Sequence, residues 1–283
     1  MFIKVKKSIY KLCAGKSELI PDDGSVLVIG DYAFYNNDKI LNITLPRYVS
    51  SIGDFAFAEC SKLQSVTVLN IAEEDEASAP IHNGVEQIGE NAFLSCTKLE
   101  TITLGNRVKS IGEAAFKNCS ALTDIVIPEG VTEIEIHTFD LCSKLKTVTL
   151  PSTLTRIGEY AFYKCTQLKT PDIPESVTTI ERSAFAGCLL SCQTIDGVTY
   201  VDNWVLEYNN GSVLRDGTVG IAEGAFDSKV PSRLTIPVTL RYVCHGCYIE
   251  LIIYEGTSEQ WEAIWFNEGS KLEYEEIQFS KDS

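Results

Sequence analysis

Apolar and polar positions repeat along the chain with a fixed period. An isoleucine and a glycine precede an alanine–phenylalanine pair, and a leucine and an alternating apolar–polar run follow it. The phenylalanine recurs at eight positions: Phe34, Phe57, Phe93, Phe116, Phe139, Phe162, Phe185 and Phe226. Five of the seven steps between them are 23 residues, and each longer step is one period plus an insertion. A fixed period of this kind indicates a repeat protein.

Each copy predicts a short coil of β structure. The run after the leucine alternates apolar and polar residues, as a half-buried strand does, and a proline often ends it. A second apolar pair, such as Val177 and Ile180, predicts a shorter strand before the next glycine turn. One coil cannot bury its own apolar face, whereas a stack of coils can. The sequence therefore predicts a solenoid of about nine coils of 23 residues.

A cysteine follows the phenylalanine by three residues in six copies: Cys60, Cys96, Cys119, Cys142, Cys165 and Cys188. Since these cysteines share one position in the repeat, they form a column of small, buried side chains. Neighbouring coils place the thiols side by side with parallel Cβ vectors, which suits a disulfide poorly. We expect free thiols that fill space.

The combined pattern Ile-Gly-x-x-Ala-Phe-x-x-Cys-x-x-Leu-x-x-Ile-x-Ile-Pro resembles the BspA-like leucine-rich repeats of bacteria. It covers about residues 22–188 and 219–248, with a local departure where Glu135 replaces the glycine and His137 and Thr138 precede the phenylalanine. The resemblance implies a right-handed leucine-rich-repeat superhelix, β-rich with short turns or helical corners. It also implies a non-enzymatic binding role, often at the cell surface, where some members bind host proteins.

The repeat register divides the chain. We predict an N-terminal cap (1–21), a solenoid (22–188) with an acidic loop insertion (70–83), a β-hairpin insertion (189–218), final repeats (219–250) and a C-terminal cap (251–283). Aligning Pro237 with Pro174 predicts a degenerate ninth coil, in which Cys244 takes the glycine position and Tyr248 the phenylalanine position.

Charge narrows the classes of partner. The 283 residues include 39 acidic and 24 basic ones, a net charge of −15. Such a surface repels phosphate backbones and anionic lipid, and no apolar run reaches the length of a membrane span, so we expect neither nucleic-acid binding nor membrane insertion. The resemblance implies a cell-surface or secreted protein. The N-terminal residues show no signal peptide, which favours the cytoplasm as the alternative.

No motif for catalysis is present in the sequence. The three histidines lie outside nucleophile motifs, and GxSxG, HExxH and phosphate-binding glycine loops are absent. Cys244-His245-Gly246-Cys247 suggests zinc, but a second ligand pair is missing. The acidic loop lacks the spacing and glycine of an EF-hand. We expect no enzyme activity, no cofactor and no metal.

Two sets of residues are candidates for ligand contact. Thr67, Thr103 and Thr149 occupy outward strand positions; threonine suits any exposed strand, but a regular row also offers an extended surface to a partner. Ordered water on the row, as in ice-binding solenoids, is disfavoured by the interruptions at Val126 and Asp172.

The second set is aromatic: Tyr200, Trp204 and Tyr208 in the hairpin insertion and Trp261 in the tail. These side chains either close the end of the solenoid or contact a ligand. The leading hypothesis is a protein-interaction module that acts in cell-surface adhesion or host-protein binding, with its solenoid face presented to a protein or another cell-surface macromolecule. The alternatives are an intracellular scaffold on the same repeats and a glycan-binding module that uses the aromatic residues.

Overall fold

The computed structural model describes residues 28–69, 84–188, 192–244, 247–266 and 272–281. The predicted N-terminal cap (1–21) and acidic loop (70–83) lie outside the described residues. So do Cys13, the CxxC residues His245 and Gly246, and the side chain of Cys247.

Strands make up nearly all the regular structure. In chain order they are β1 (Val28–Ile29), β2 (Asn42–Leu45), β3 (Ser51–Ile52), β4 (Ser65–Val68), β5 (Gln87–Ile88), β6 (Thr101–Thr103), β7 (Ser110–Ile111), β8 (Asp124–Val126), β9 (Glu133–Ile134), β10 (Thr147–Thr149), β11 (Arg156–Ile157), β12 (Thr179–Ile180), β13 (Cys192–Ile195), β14 (Val198–Val201), β15 (Trp204–Tyr208), β16 (Gly220–Ile221), β17 (Arg233–Ile236), β18 (Tyr242–Val243), β19 (Cys247–Tyr254), β20 (Trp265–Phe266) and β21 (Leu272–Phe279). The single helix of the described residues, α1 (Ser258–Glu262), begins at an N-terminal capping box formed by Thr257 and Gln260.

Successive coils place equivalent strands side by side. Strands β2, β4, β6, β8 and β10 form one parallel sheet, and the two-residue strands form a second row, β1-β3-β5-β7 followed by β9-β11-β12. The register is in step with the repeat, since Thr44 pairs with Thr67 and Thr67 with Thr103. The chain is a β-solenoid of about ten turns spaced by about 23 residues, and the predicted fold class is confirmed.

Alternation along each strand separates core from surface. In β8, Ile125 is buried between the exposed Asp124 and Val126, and the equivalent residues of β6 and β10 follow the same order. Each buried strand residue stacks on its equivalent in the next coil. The coils from Ile29 to Cys188 therefore share one continuous hydrophobic core, and the part of the chain from Val198 to Leu272 packs around a second one.

The corner between the glycine and the cysteine consists of turns rather than helix. In the coil around Phe116, Ala114 and Asn118 adopt positive φ angles of 51° and 59°. The intervening N–H groups alternate between two kinds of acceptor. Phe116 N–H donates to the Thr138 carbonyl of the next coil (2.9 Å), and Lys117 N–H donates back to the Ala114 carbonyl of its own coil (3.0 Å). Corner N–H groups thus find partners without forming a helix.

Two side-chain columns line the inside of these corners. The phenylalanine rings from Phe34 to Phe185 stack with centroids 4.9–5.5 Å apart and planes within 14° of parallel. Each column cysteine donates its thiol hydrogen to a phenylalanine carbonyl of the preceding coil, as Cys142 Sγ does to Phe116 O at 3.1 Å. All six column cysteines are free and buried, as predicted.

The predicted hairpin insertion is present and joins the row of short strands. Strands β13 and β14 pair antiparallel around Asp196 and Gly197, whose positive φ angles suit a tight hairpin turn. Strand β15 pairs antiparallel with β14 on one side and parallel with β16 on the other. The chain then continues through β18 and β20, while β17, β19 and β21 form a separate parallel sheet.

The ninth coil departs from the alignment made on sequence. Leu240 and Val243 are buried, and Cys244 N–H donates to Ile221 O as a corner glycine would, so the first half of the alignment holds. Tyr248, however, is 52% exposed and lies in the eight-residue strand β19. Its expected place in the phenylalanine column was wrong because a long strand replaces the corner there.

We predict that Phe139→Ala lowers the free energy of unfolding by about 3–5 kcal/mol, since it leaves a cavity between the rings of Phe116 and Phe162. Urea denaturation checks this prediction. The matched control is Val126→Ala, at a side chain that is 63% exposed, which is expected to change stability by less than about 0.5 kcal/mol. An equal decrease in the free energy of unfolding for the two variants would contradict a stabilising role of the ring column.

Candidate functional site

The sheet β2-β4-β6-β8-β10 turns one flat, polar side to solvent, which we call the strand face. Its two rows of outward side chains are Asn42, Ser65, Thr101, Asp124 and Thr147, and Thr44, Thr67, Thr103, Val126 and Thr149. The predicted residues Thr67, Thr103 and Thr149 thus lie in one row. Thr103 and Thr149 are exposed and Thr67 is half-buried.

Neighbouring side chains on the strand face are linked along the solenoid. Ser65 Oγ donates to Asn42 Oδ1 at 2.6 Å, and the Thr147 hydroxyl donates to Asp124. The hydrogen bond from Thr147 also holds the pKa of Asp124 below its usual range. Val126 stands out in this polar row because its apolar side chain is largely exposed. The strand face therefore combines an ordered polar grid with one exposed apolar point near its β10 end.

The four predicted aromatic residues are buried. Exposed fractions are 1% for Tyr200, 2% for Trp204, 4% for Tyr208 and 8% for Trp261. Trp204 stacks on Tyr242 with ring centroids 5.9 Å apart, and Trp261 packs on Tyr254 at 5.3 Å. Their rings are covered by the protein itself, so direct ligand contact does not fit these positions. The alternative weighed on sequence, in which they close the end of the solenoid, agrees with their packing.

Two polar clusters on the solenoid were not anticipated. Asp140 is buried and accepts hydrogen bonds from His137 Nδ1 and Lys117 Nζ, each at 2.9 Å. Arg156 lies among the carboxylates of Glu133, Glu135 and Glu181. Burial alone lowers the pKa of the Arg156 guanidinium, and the hydrogen bonds to these carboxylates more than offset this and raise it. Both clusters tie neighbouring coils together.

Neither cluster forms a metal site. Within the part of the chain that the structure describes, no three or more His, Cys, Asp or Glu side chains come close enough to hold a metal ion. The same described ranges contain no helix long and apolar enough to cross a membrane.

A cleft of about 700 Å³ lies where the hairpin interrupts the stack. One wall is the corner of residues 181–188, and the other walls are strands β13–β15 and the corner of residues 222–228. The Arg182–Asp227 ion pair joins the two corners at its side. Sequence reasoning missed this cleft, because the insertion was located but its docking against the coils was not predictable from a local pattern.

The repeats identify the family to which the chain belongs. A model of the BspA type leucine-rich repeat region matches residues 3–79 and 75–191 with six copies, which is more than half of the chain. The chain belongs to the BspA-type leucine-rich repeat family. Repeats of this kind are protein-interaction modules and are typically non-enzymatic.

Solved structures of bacterial leucine-rich repeat proteins are similar to this BspA-type chain. The T. pallidum protein TpLRR is 29% identical over 62% of this chain and 74% of that one, with a TM-score of 0.51. A leucine-rich repeat protein from Eubacterium ventriosum is 30% identical over 62% of this chain and 43% of that one, with a TM-score of 0.52. A leucine rich cell surface protein from Faecalibacterium prausnitzii is 23% identical over 84% and 85% of the two chains, with a TM-score of 0.49. No curated protein matches the chain.

The column thiols are predicted to be unreactive in the folded protein. Burial raises the pKa of Cys119 to about 12 and that of Cys142 well above its ordinary value, so both remain protonated at pH 8. Iodoacetamide at pH 8 is therefore expected to label these two cysteines only after unfolding in urea, as peptide mapping by mass spectrometry would show. Labelling of the folded protein at the rate of the unfolded chain would contradict the packing role.

Proposed function

We propose that this BspA-type chain is a protein-binding module that engages its partner through the strand face. The observation that carries the proposal is the in-register exposure of two side-chain rows across five parallel strands, with Val126 as an exposed apolar point. A protein interface needs an extended surface with polar hydrogen-bonding groups and at least one apolar contact. The strand face offers these features on a rigid support.

The charge of the chain bears on the kind of partner. With a net charge of −15, the protein attracts basic protein surfaces and repels nucleic acid. A glycan-binding role depended on Trp204 and Trp261, and both rings are buried, so they are not available for stacking on a sugar. A protein partner therefore agrees better with the strand face.

The proposed place of action is the bacterial cell surface, where the partner is a host or cell-surface protein. The proposal is supported by the family, whose members are typically surface-associated. An intracellular scaffold would use the same strand face, so the two hypotheses differ in location rather than in geometry.

Binding through the strand face predicts a steric effect at its centre. Thr103→Tyr is expected to reduce binding at least tenfold, because a bulky ring at an exposed position between β4 and β8 prevents flat contact. Glu113→Tyr, at an exposed corner position away from the sheet, is the matched control and is expected to bind normally. The measurement is binding of wild type and variants to arrays of purified extracellular host proteins and of glycans. Equal binding by Thr103→Tyr, or saturable binding to glycans alone, would contradict the proposal.

Surface display predicts accessibility on intact cells. Protease treatment of unlysed source cells is expected to remove the chain from the cell-associated fraction, as antibody detection would show. A cytoplasmic marker protein serves as the control for lysis. Full protection until the cells are lysed would contradict the cell-surface proposal and favour the intracellular scaffold.

A further inference from the structure

The corner of residues 181–188 is the last in the regular column, and within the described part of the chain its outward N–H groups lack the acceptors that earlier corners have. In the preceding corner, the equivalent N–H groups of Tyr160, Phe162 and Lys164 donate to the carbonyls of Arg182, Ala184 and Ala186 at 3.2, 2.7 and 2.8 Å. Among the residues that the structure describes, no acceptor pairs with the N–H groups of Ser183, Phe185 and Gly187. The φ angles of Ser183 and Gly187, 55° and 80°, keep the conformation of a stacked corner.

The hairpin explains why the next corner does not supply these acceptors. The carbonyl of Ala225, which by register corresponds to the acceptor for Phe185, instead accepts a hydrogen bond from Tyr208 N–H at 2.7 Å. Strand β15 thus takes the place of the preceding coil for the corner of residues 222–228. The corner of residues 181–188 is left facing the cleft, and we call it the open corner.

The other walls of the cleft give it a chemical preference. The half-buried side chain of Leu206 contributes apolar surface. Glu207 and Glu223 also line the cleft, and no described residue forms an ion pair with the carboxylate of Glu223. The two other acidic residues of the lining are already paired, Glu181 with Arg156 and Asp227 with Arg182. The cleft therefore favours a ligand with positive charge and carbonyl acceptors.

We propose that the open corner binds a short peptide segment of a partner protein. Carbonyls of alternate ligand residues accept hydrogen bonds from the Ser183, Phe185 and Gly187 N–H groups, as the carbonyls of the next coil do elsewhere in the stack. An apolar ligand side chain contacts Leu206, and a lysine or arginine faces Glu223. Backbone pairing supplies affinity and the side chains supply specificity, as when a peptide adds to a sheet edge.

Other ligand classes fit the open corner less well. Anions accept hydrogen bonds from rows of N–H groups, but the carboxylates of Glu207 and Glu223 repel them. A glycan lacks the regularly spaced carbonyls that three donors in repeat register require. The site is separate from the strand face, so the two proposals stand independently.

The test uses a synthetic peptide patterned on a native acceptor corner. Residues 112–118 supply the carbonyls that accept from Asn91, Phe93 and Ser95, so the probe is the heptapeptide Gly-Lys-Ala-Ala-Phe-Lys-Asn, with lysine in place of Glu113. Calorimetry on the full chain is expected to show saturable binding. Hydrogen exchange followed by NMR is expected to show slower exchange of the Ser183, Phe185 and Gly187 amides in the complex.

Variants distinguish peptide binding at the open corner from non-specific binding and from binding at the strand face. Glu223→Lys is expected to weaken binding at least tenfold, and Glu223→Gln, which keeps the shape of the side chain, to weaken it less. Glu113→Lys, at an exposed acidic residue of a complete corner, and Thr103→Tyr are expected to bind the heptapeptide as wild type does. The proposal is overturned if the heptapeptide does not bind, if the three amides are not protected, or if Glu223→Lys binds equally while folded.

Discussion

Backbone hydrogen bonds between the corners of successive coils are the constraint on which the rest of the molecule depends. In the corners from Phe34 to Phe162, every second N–H donates to the next coil, and those between donate within their own coil. Both kinds of bond exist only if equivalent residues lie in step. The bonds therefore fix the period of the sequence and allow insertions only outside the corners, as at residues 70–83 and after Cys188. The ring and thiol columns follow from the same register.

Much of the fold could be predicted because the signal repeats. Side chains such as Phe139 and Cys142 each recur at a fixed position in the repeat. Each copy alone is a weak signal, but the eight copies together show which side chains point into the core. The strand face followed equally directly, since alternation assigns Thr103 and Thr149 to the outside. The alignment extended as far as Val243 in the degenerate coil, where a single divergent copy no longer carried enough signal to locate Tyr248.

The features that escaped prediction depend on contacts between distant segments. The corner positions with positive φ carry residues such as Phe55, His137 and Tyr160, which do not mark a left-handed conformation as glycine would. The hydrogen bonds between coils impose that conformation. The burial of Trp204 likewise depends on where the hairpin docks. The ion pairs of Asp140 with Lys117 and of Arg156 with its carboxylates likewise join residues of neighbouring coils, which only the stacking brings together.

The regular stack of coils and the hairpin that interrupts it form two different surfaces. Where the coils continue in step, the sheet presents the strand face, a broad grid suited to a folded protein partner. Where the hairpin breaks the stack, the corner of residues 181–188 retains the conformation of its predecessors but faces a cleft, and no described residue accepts from its outward N–H groups. The open corner depends on the same regularity as the strand face. Because the repeat fixes which N–H groups donate to the next coil, displacement of that coil by the hairpin leaves a defined set of N–H groups facing the cleft.

The most direct test of this account is amide hydrogen exchange of the free protein, resolved residue by residue. Phe162 and Phe185 are both buried in the ring column, but among the residues that the structure describes only the Phe162 N–H is bonded to a following coil. The account predicts strong protection of Phe116, Phe139 and Phe162 and exchange at least a hundredfold faster at Phe185. Protection of Phe185 equal to that of Phe162 would contradict it, because the register would then continue past the hairpin.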